Sequence, residues 1–199
     1  AKEDAIRALI ADLSNPLYEG RPDYILVPVV NRQTLSNANR FSMAMLVPNA
    51  VNILTCGNGQ ASKISIPGDT TVSDIIADCP IEFGQGSSIE NGVFMTTSRD
   101  ANAFKGANNV RLGLADDCTP GGGAQFVTLG GVNFASAMEY HGSQVIANGS
   151  VHLAAGVQGL AGISVQALGN ISVTANNVMG ACSGGVDTVA DQYVVRLVY

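Results

Sequence analysis

His141 and His152 are the only histidines of the chain, and neither has a nucleophile and a carboxylate beside it in sequence. Triad chemistry needs a base, a nucleophile and an orienting acid, so both imidazoles read as surface groups and no catalytic residue is expected. Three acids are placed more suggestively. Asp116 and Asp117 are adjacent, and Glu139 follows Asp117 by 22 residues. In a chain that coils at about that period the two would share a face, where paired carboxylates can hold Ca²⁺ or act as acid and base on a polysaccharide. Solvated turns account for them more simply, and no metal or cofactor is expected. Gly121, Gly122 and Gly123 lack the Lys-Ser/Thr that completes a phosphate loop, which leaves them as a flexible turn. Asn148-Gly149-Ser150 and Asn170-Ile171-Ser172 match a glycosylation acceptor pattern, but both fall inside predicted strands rich in Asn and Ser.

Cys56, Cys79, Cys118 and Cys182 are even in number, widely spaced and without a C-x-x-C pair, which disfavours a zinc centre. Each adjoins turn residues: Gly57 and Gly59, Pro80, Pro120 and Gly121, Ser183 and Gly184. That placement fits bridges stapling loops at the edges of a β structure in an oxidising compartment; four cysteines allow three pairings, of which Cys56–Cys79 with Cys118–Cys182 is the one expected here. Four buried thiols in a cytosolic protein are the alternative. No leader stands at Ala1, so the chain is expected to be processed or trimmed.

The elements that would position these residues are announced by composition. Of 199 residues, 46% are hydrophobic and only 13% charged, about half the usual ~25% for soluble domains, which excludes intrinsic disorder. Net charge is −6 with no clustered bases, which excludes a nucleic-acid binder and disfavours an anionic membrane surface. No apolar run approaches the ~18 residues that span a bilayer. Nine of the ten bases lie within the first 111 residues, and between positions 119 and 186 the one charged residue is Glu139. So neutral a stretch, built from Val, Ile, Ala, Gly, Ser, Asn and Thr, suits stacked strands with a hydrogen-bonding surface.

Repetition is the strongest signal. Residues 126–136, 145–155 and 165–175 read FVTLGGVNFAS, VIANGSVHLAA and VQALGNISVTA, offset by 19 and 20 positions. Gly130, Gly149 and Gly169 coincide; so do Thr128, Ala147 and Ala167, then Val132, Val151 and Ile171, then Phe134, Leu153 and Val173, then Ser136, Ala155 and Ala175. Matched apolar positions two apart have the period of a strand. A strand pattern returning every ~20 residues with glycine at a fixed offset predicts a parallel β-helix, whose turns are unstable singly and stable when stacked. The glycines mark a corner needing either positive φ or close chain approach. Asn148, Ser150, His152, Gln166, Asn170, Ser172 and Thr174 should point outward. Irregular copies lie upstream around Ile64, Ile75, Ile81, Val93 and Val110. An ordinary β-sandwich is the competing fold.

Ahead of the repeat, residues 1–13 place Ile6, Leu9, Ile10 and Leu13 at helical spacing, with Glu3 and Asp4 opposing the positive helix start and Pro16 stopping it. A short helix packed on one end of the domain is expected. Residues 24–30 read as a strand bent by Pro28, and residues 41–47 as a strand or short helix. The expected organisation is all-β, a parallel β-helix with a short N-terminal capping helix: residues 1–50 as helix and cap, 51–185 as solenoid, 186–199 as a terminal strand. In that last piece Tyr193, Val195, Leu197 and Tyr199 alternate, which suits a second cap or a docking strand.

The segment VIANGSVHLAAGVQGLAGISVQALGNISVTANNVMGAC, with the terminal YVVRLVY, resembles the extracytoplasmic region of TadE/TadG-type proteins of bacterial tight-adherence (Flp, type IV-like) pilus systems. The resemblance spans residues 56–199 and lies in the style of repeat and the sparse cysteines. It implies an extracytoplasmic, non-enzymatic structural or assembly component of a pilus or adhesive surface structure, partnered by envelope or pilus proteins or by itself. It supplies no catalytic residues. Two rival expectations stand beside it: a carbohydrate-active β-helix using Asp116, Asp117 and Glu139 with Tyr140 as a sugar platform, and a subunit of a self-assembling shell or filament.

Overall fold

The structure is a computed structural model, and it describes residues 2–13, 30–48, 50–72, 74–90, 92–113, 123–175 and 179–180. Helix α1 (Lys2–Leu13) comes first, followed by β1 (Val30–Thr34). The chain then winds through about six stacked turns. The first holds β2 (Val51–Thr55) and β3 (Ile64–Ile66); the second β4 (Ile75–Ala77), β5 (Ile81–Phe83) and β6 (Ser88–Ile89). The third holds β7 (Gly92–Thr96), β8 (Phe104–Gly106) and β9 (Arg111–Leu112). Longer strands build the fourth, β10 (Ala124–Thr128) and β11 (Val132–His141), and the fifth, β12 (Gln144–Ala147) and β13 (Val151–Ala161). The sixth holds β14 (Ser164–Ala167), β15 (Ile171–Ala175) and β16 (Met179–Gly180).

Every strand pairing among the described residues is parallel and joins one turn to the next. The first face is the sheet β1-β2-β4-β7-β10-β12-β14. The second face is β3-β5-β8 continued by the first parts of β11 and β13 and by β15, and the third is β6-β9 with the remaining parts of β11 and β13 and with β16. The expected parallel β-helix is the observed fold.

The predicted ladders are present in register. Thr128, Ala147 and Ala167 are lateral partners, as are Val132, Val151 and Ile171, and Phe134, Leu153 and Val173. The glycines are vertical neighbours: the Gly149 N–H donates to Gly130 O at 2.8 Å and Gly169 N–H to Gly149 O at 3.2 Å. Of the two reasons for glycine there, close approach is the operative one. A Cβ on Gly149 would lie 2.7 Å from the carbonyl carbon of Gly130 and 2.8 Å from its oxygen. Positive φ belongs to another corner, where Gly142 (54°) and Gly162 (58°) open the fifth and sixth turns. One expected match shifts: Ala155 pairs with Met138 instead of Ser136, because β11 carries a bulge where the second face bends into the third.

Inward side chains make one apolar core. Phe83, Phe94, Phe104, Phe126 and Phe134 meet ring against ring along its axis, Phe94 stacking on Phe126 at 5.4 Å. A second apolar cluster sits outside the solenoid. On the outer side of the first face, Ile53, Ile76, Met95, Val127 and Ile146 form a ladder across five successive strands. The α1 residues Ile6 and Ile10 pack on its middle, burying Ile76, Met95 and Val127. Glu3 anchors the helix start by pairing with Arg99 beyond β7 and with Arg7 one turn along the helix. The helix thus caps a face, and the end of the stack is closed by the segment after β1. There a 3₁₀ turn at Met43–Met45 brings Phe41, Met43, Met45 and Leu46 onto the core. Asn52, fully buried, ties this closure down: its Oδ1 accepts from Asn31 Nδ2 at 2.9 Å and from the Val47 N–H at 2.9 Å, and its Nδ2 donates to Asp74 O at 3.2 Å. Of the strand expected over residues 24–30, only Val30 lies within the described residues, as the start of β1. The expected terminal strand over 186–199 lies outside them.

Candidate functional site

The disulfide corner lies where the first face turns toward the second. Cys56 follows β2, Cys79 follows β4, and these strands are partners, so their ends bring the two cysteines to a Cα separation of 6.0 Å. The expected Cys56–Cys79 bridge is formed. Cys118 and Cys182 lie outside the described residues. Asp78 joins the pair: its Oδ1 accepts the Cys56 N–H at 2.7 Å. From the next turn, the buried Thr96 hydroxyl donates to the Cys79 carbonyl at 2.7 Å and accepts the Ser98 N–H at 3.0 Å. A shallow, solvent-open cleft of about 400 Å³ runs over the bridge, lined by Asp78, Ser62, Thr97, Ser98, Arg99 and Asp100. Asp78 escapes a reading of cysteine spacing alone; the available signal was its position immediately before Cys79.

The acids singled out in sequence are not assembled into a site by the described residues. Asp116 and Asp117 lie outside them. Glu139, on β11, stands in register with Arg111 on β9, and its Oε2 accepts from Arg111 Nε at 2.8 Å; His141 Nε2 is 4.0 Å from the same oxygen. Glu82 is likewise bracketed, by Lys63 at 2.6 Å and Lys105 at 3.9 Å. Tyr140 differs from the expected sugar platform. The alternation of β11 turns Met138 and Tyr140 inward, the ring is 0% exposed, and burial pushes its phenol far above the ordinary range. His152 is half-buried on the outward phase of β13. Asn148 and Asn170 sit in the corners just before β13 and β15, where the Ser150 hydroxyl accepts the Asn170 N–H at 3.2 Å, so neither is inside a strand.

Fold and corner together define the class, a three-faced parallel β-solenoid with a disulfide joining its first two turns. Residues 3–183 match the family described as a domain of unknown function, DUF7867, and the chain belongs to that family. No curated protein and no solved structure matches it. Among the described residues, no helix is long and apolar enough to cross a membrane.

Proposed function

We propose that the chain is a non-enzymatic, extracytoplasmic structural component of a bacterial pilus or related surface assembly, acting as a rigid spacer and docking surface. The observation that carries this reading is the covalent and hydrogen-bonded continuity of the stack: parallel ladders run from β1 to the sixth turn, and the Cys56–Cys79 bridge locks two turns together. The pilus assignment draws on the resemblance in the repeat. Glu82 and Glu139 support a structural role over a sugar-cleaving one, because each spends its charge on cations of neighbouring turns. Fractionation of the cells that make the protein tests the proposal. The chain should sediment with sheared surface filaments, with Cys56 and Cys79 oxidised. Recovery in the cytosol with both thiols reduced, or cleavage of envelope polysaccharide that Glu139→Gln abolishes, would overturn it.

A second reading, a subunit of a self-assembling filament, is favoured by one specific feature. At the sixth turn Leu168 (48%), Ile171 (49%) and Val173 (38%) are exposed, whereas the opposite end is closed. Light scattering across a concentration series separates the two, since a constant monomer mass removes the filament.

A further inference from the structure

The corner that holds the bridge is built to keep its shape without it. Cys56 is positioned by the Asp78 carboxylate and by the parallel register of β2 with β4; Cys79 by the Thr96 hydroxyl. Next to Cys56, the Gly57 N–H donates to Ala61 O at 3.1 Å; on the other side, Thr97 N–H donates to Ala77 O at 3.1 Å. None of these contacts involves a sulfur, so breaking the S–S bond leaves both Sγ atoms facing each other. A carboxylate oxygen of Asp78 and the two sulfurs all lie within 4.8 Å of one another. Oδ1 of Asp78 is engaged by the Cys56 N–H, which leaves Oδ2 for another partner.

We propose that reduction of the Cys56–Cys79 bridge converts this corner into a binding site for one thiophilic divalent cation of the zinc and cadmium class, held by the two thiolates and Asp78. The chemistry is balanced: a dithiol or phosphine reductant supplies two electrons, two protons make the two thiols, and the cation releases both protons on binding. Two thiolates and one carboxylate are a soft, negatively charged donor set suited to such an ion, with water entering from the cleft as the fourth ligand. Arg99, the cation lining the cleft, is already paired with Glu3, and Asp100 adds a further negative charge at its rim. The same two turns are then stapled by a covalent bond in oxidising surroundings and by an ion in reducing ones.

The test uses the full chain, phosphine-reduced or oxidised, titrated with Cd²⁺ and followed by thiolate-to-cadmium charge-transfer absorption and equilibrium dialysis. Reduced protein should gain one ion that Cys56→Ser abolishes, and oxidised protein should not gain it. Asp78→Asn, which preserves the bridge and a hydrogen-bond acceptor, should weaken binding at least tenfold. X-ray absorption should count two sulfurs on that ion, read as the difference between wild type and Cys56→Ser so that Cys118 and Cys182 cancel. A thermal shift with Zn²⁺ gives an independent readout, raising the melting temperature of reduced wild type and leaving oxidised protein unchanged. Absence of binding after reduction, equal binding by the oxidised chain, or binding that survives Cys56→Ser in folded protein would each overturn the proposal.

Discussion

Gly149→Ala asks whether the turns are as closely stacked as their ladders imply. The added methyl would sit 2.7 Å from Gly130 C, 2.8 Å from Gly130 O and 2.8 Å from Gly131 N. All three are backbone atoms, which cannot swing aside as a side chain would. Forcing the turns apart also stretches the 2.8 Å bond from Gly149 N–H to Gly130 O. Overpacking costs about 1–3 kcal/mol and a weakened hydrogen bond about 0.5–1.5 kcal/mol. Alanine returns about 0.4–1 kcal/mol by restricting the unfolded chain. The net is a loss centred on about 2 kcal/mol within a range of about 0.5–4 kcal/mol, and the central value lowers the melting temperature by roughly 4–8 °C for a chain of this size. Thermal and urea denaturation followed by circular dichroism measures it, with Ser172→Ala, an exposed position on the sixth turn, as the control. A Gly149→Ala protein within 0.5 kcal/mol of wild type would refute the close approach.

Three further expectations rest on other parts of the structure. Phe126 touches Phe83, Phe94, Phe104 and Phe134, so Phe126→Ala should cost about 3–5 kcal/mol in urea unfolding, and a loss below 1 kcal/mol would place the ring outside the core. Met95→Glu sets a carboxylate under Ile6 and Ile10 on the outer side of the sheet; α1 amides should lose hydrogen-exchange protection while strand amides keep theirs, and protection unchanged in α1 would contradict the docking. Asp74 titrates above its ordinary 3.8 because burial outweighs the Val93 N–H it accepts at 2.8 Å. A raised acid pKa makes the ionised form unfavourable to folding: the penalty is complete above the folded value and fades as pH falls toward 3.8. Asp74→Asn, which keeps the acceptor and tolerates φ of 23°, should melt higher than wild type at pH 7 with the gain shrinking in acid, and a difference independent of pH would exclude this account.

The solenoid was legible where its repeat is regular. From the fourth turn onward, inward positions two apart recur with the same glycine offset, and a shift by one residue would turn every apolar side chain outward, so a single register fits. Upstream, the spacing is broken by the longer excursions that follow β2 and β7. Strands such as Ile75-Ile76-Ala77 are apolar on both sides, which announces burial without naming the cover; that α1 supplies it on the outer face needed the third dimension. Tyr140 was misread although the inward phase of Val132 and Phe134 continues through Met138 to it; the sugar-platform expectation followed from its place beside Glu139 and not from that alternation. Asp78 was hidden because its partner Cys56 is a full turn away in sequence, 22 residues before it. The Cys56–Cys79 separation of 23 residues is about one turn, which is why the two cysteines recur at the same corner.

The chemistry of the three faces narrows where a partner could be engaged. The first face carries an apolar ladder on its outer side, and α1 covers the centre of that ladder. The second carries Glu82 between Lys63 and Lys105, then Asn133 bonded to Asn102 at 3.0 Å, then His152 and Ser172: charge near the closed end gives way to neutral hydrogen-bonding groups toward the other. On the third, Arg111 and Glu139 neutralise each other across adjacent turns. Ion pairs this exposed contribute little to stability, and their value lies in register, since a slip of one strand would set like charges or empty positions side by side. The stack differs along its axis, from a closed end tied by Asn hydrogen bonds to a sixth turn where Leu168 and the inward-phase Ile171 and Val173 are exposed.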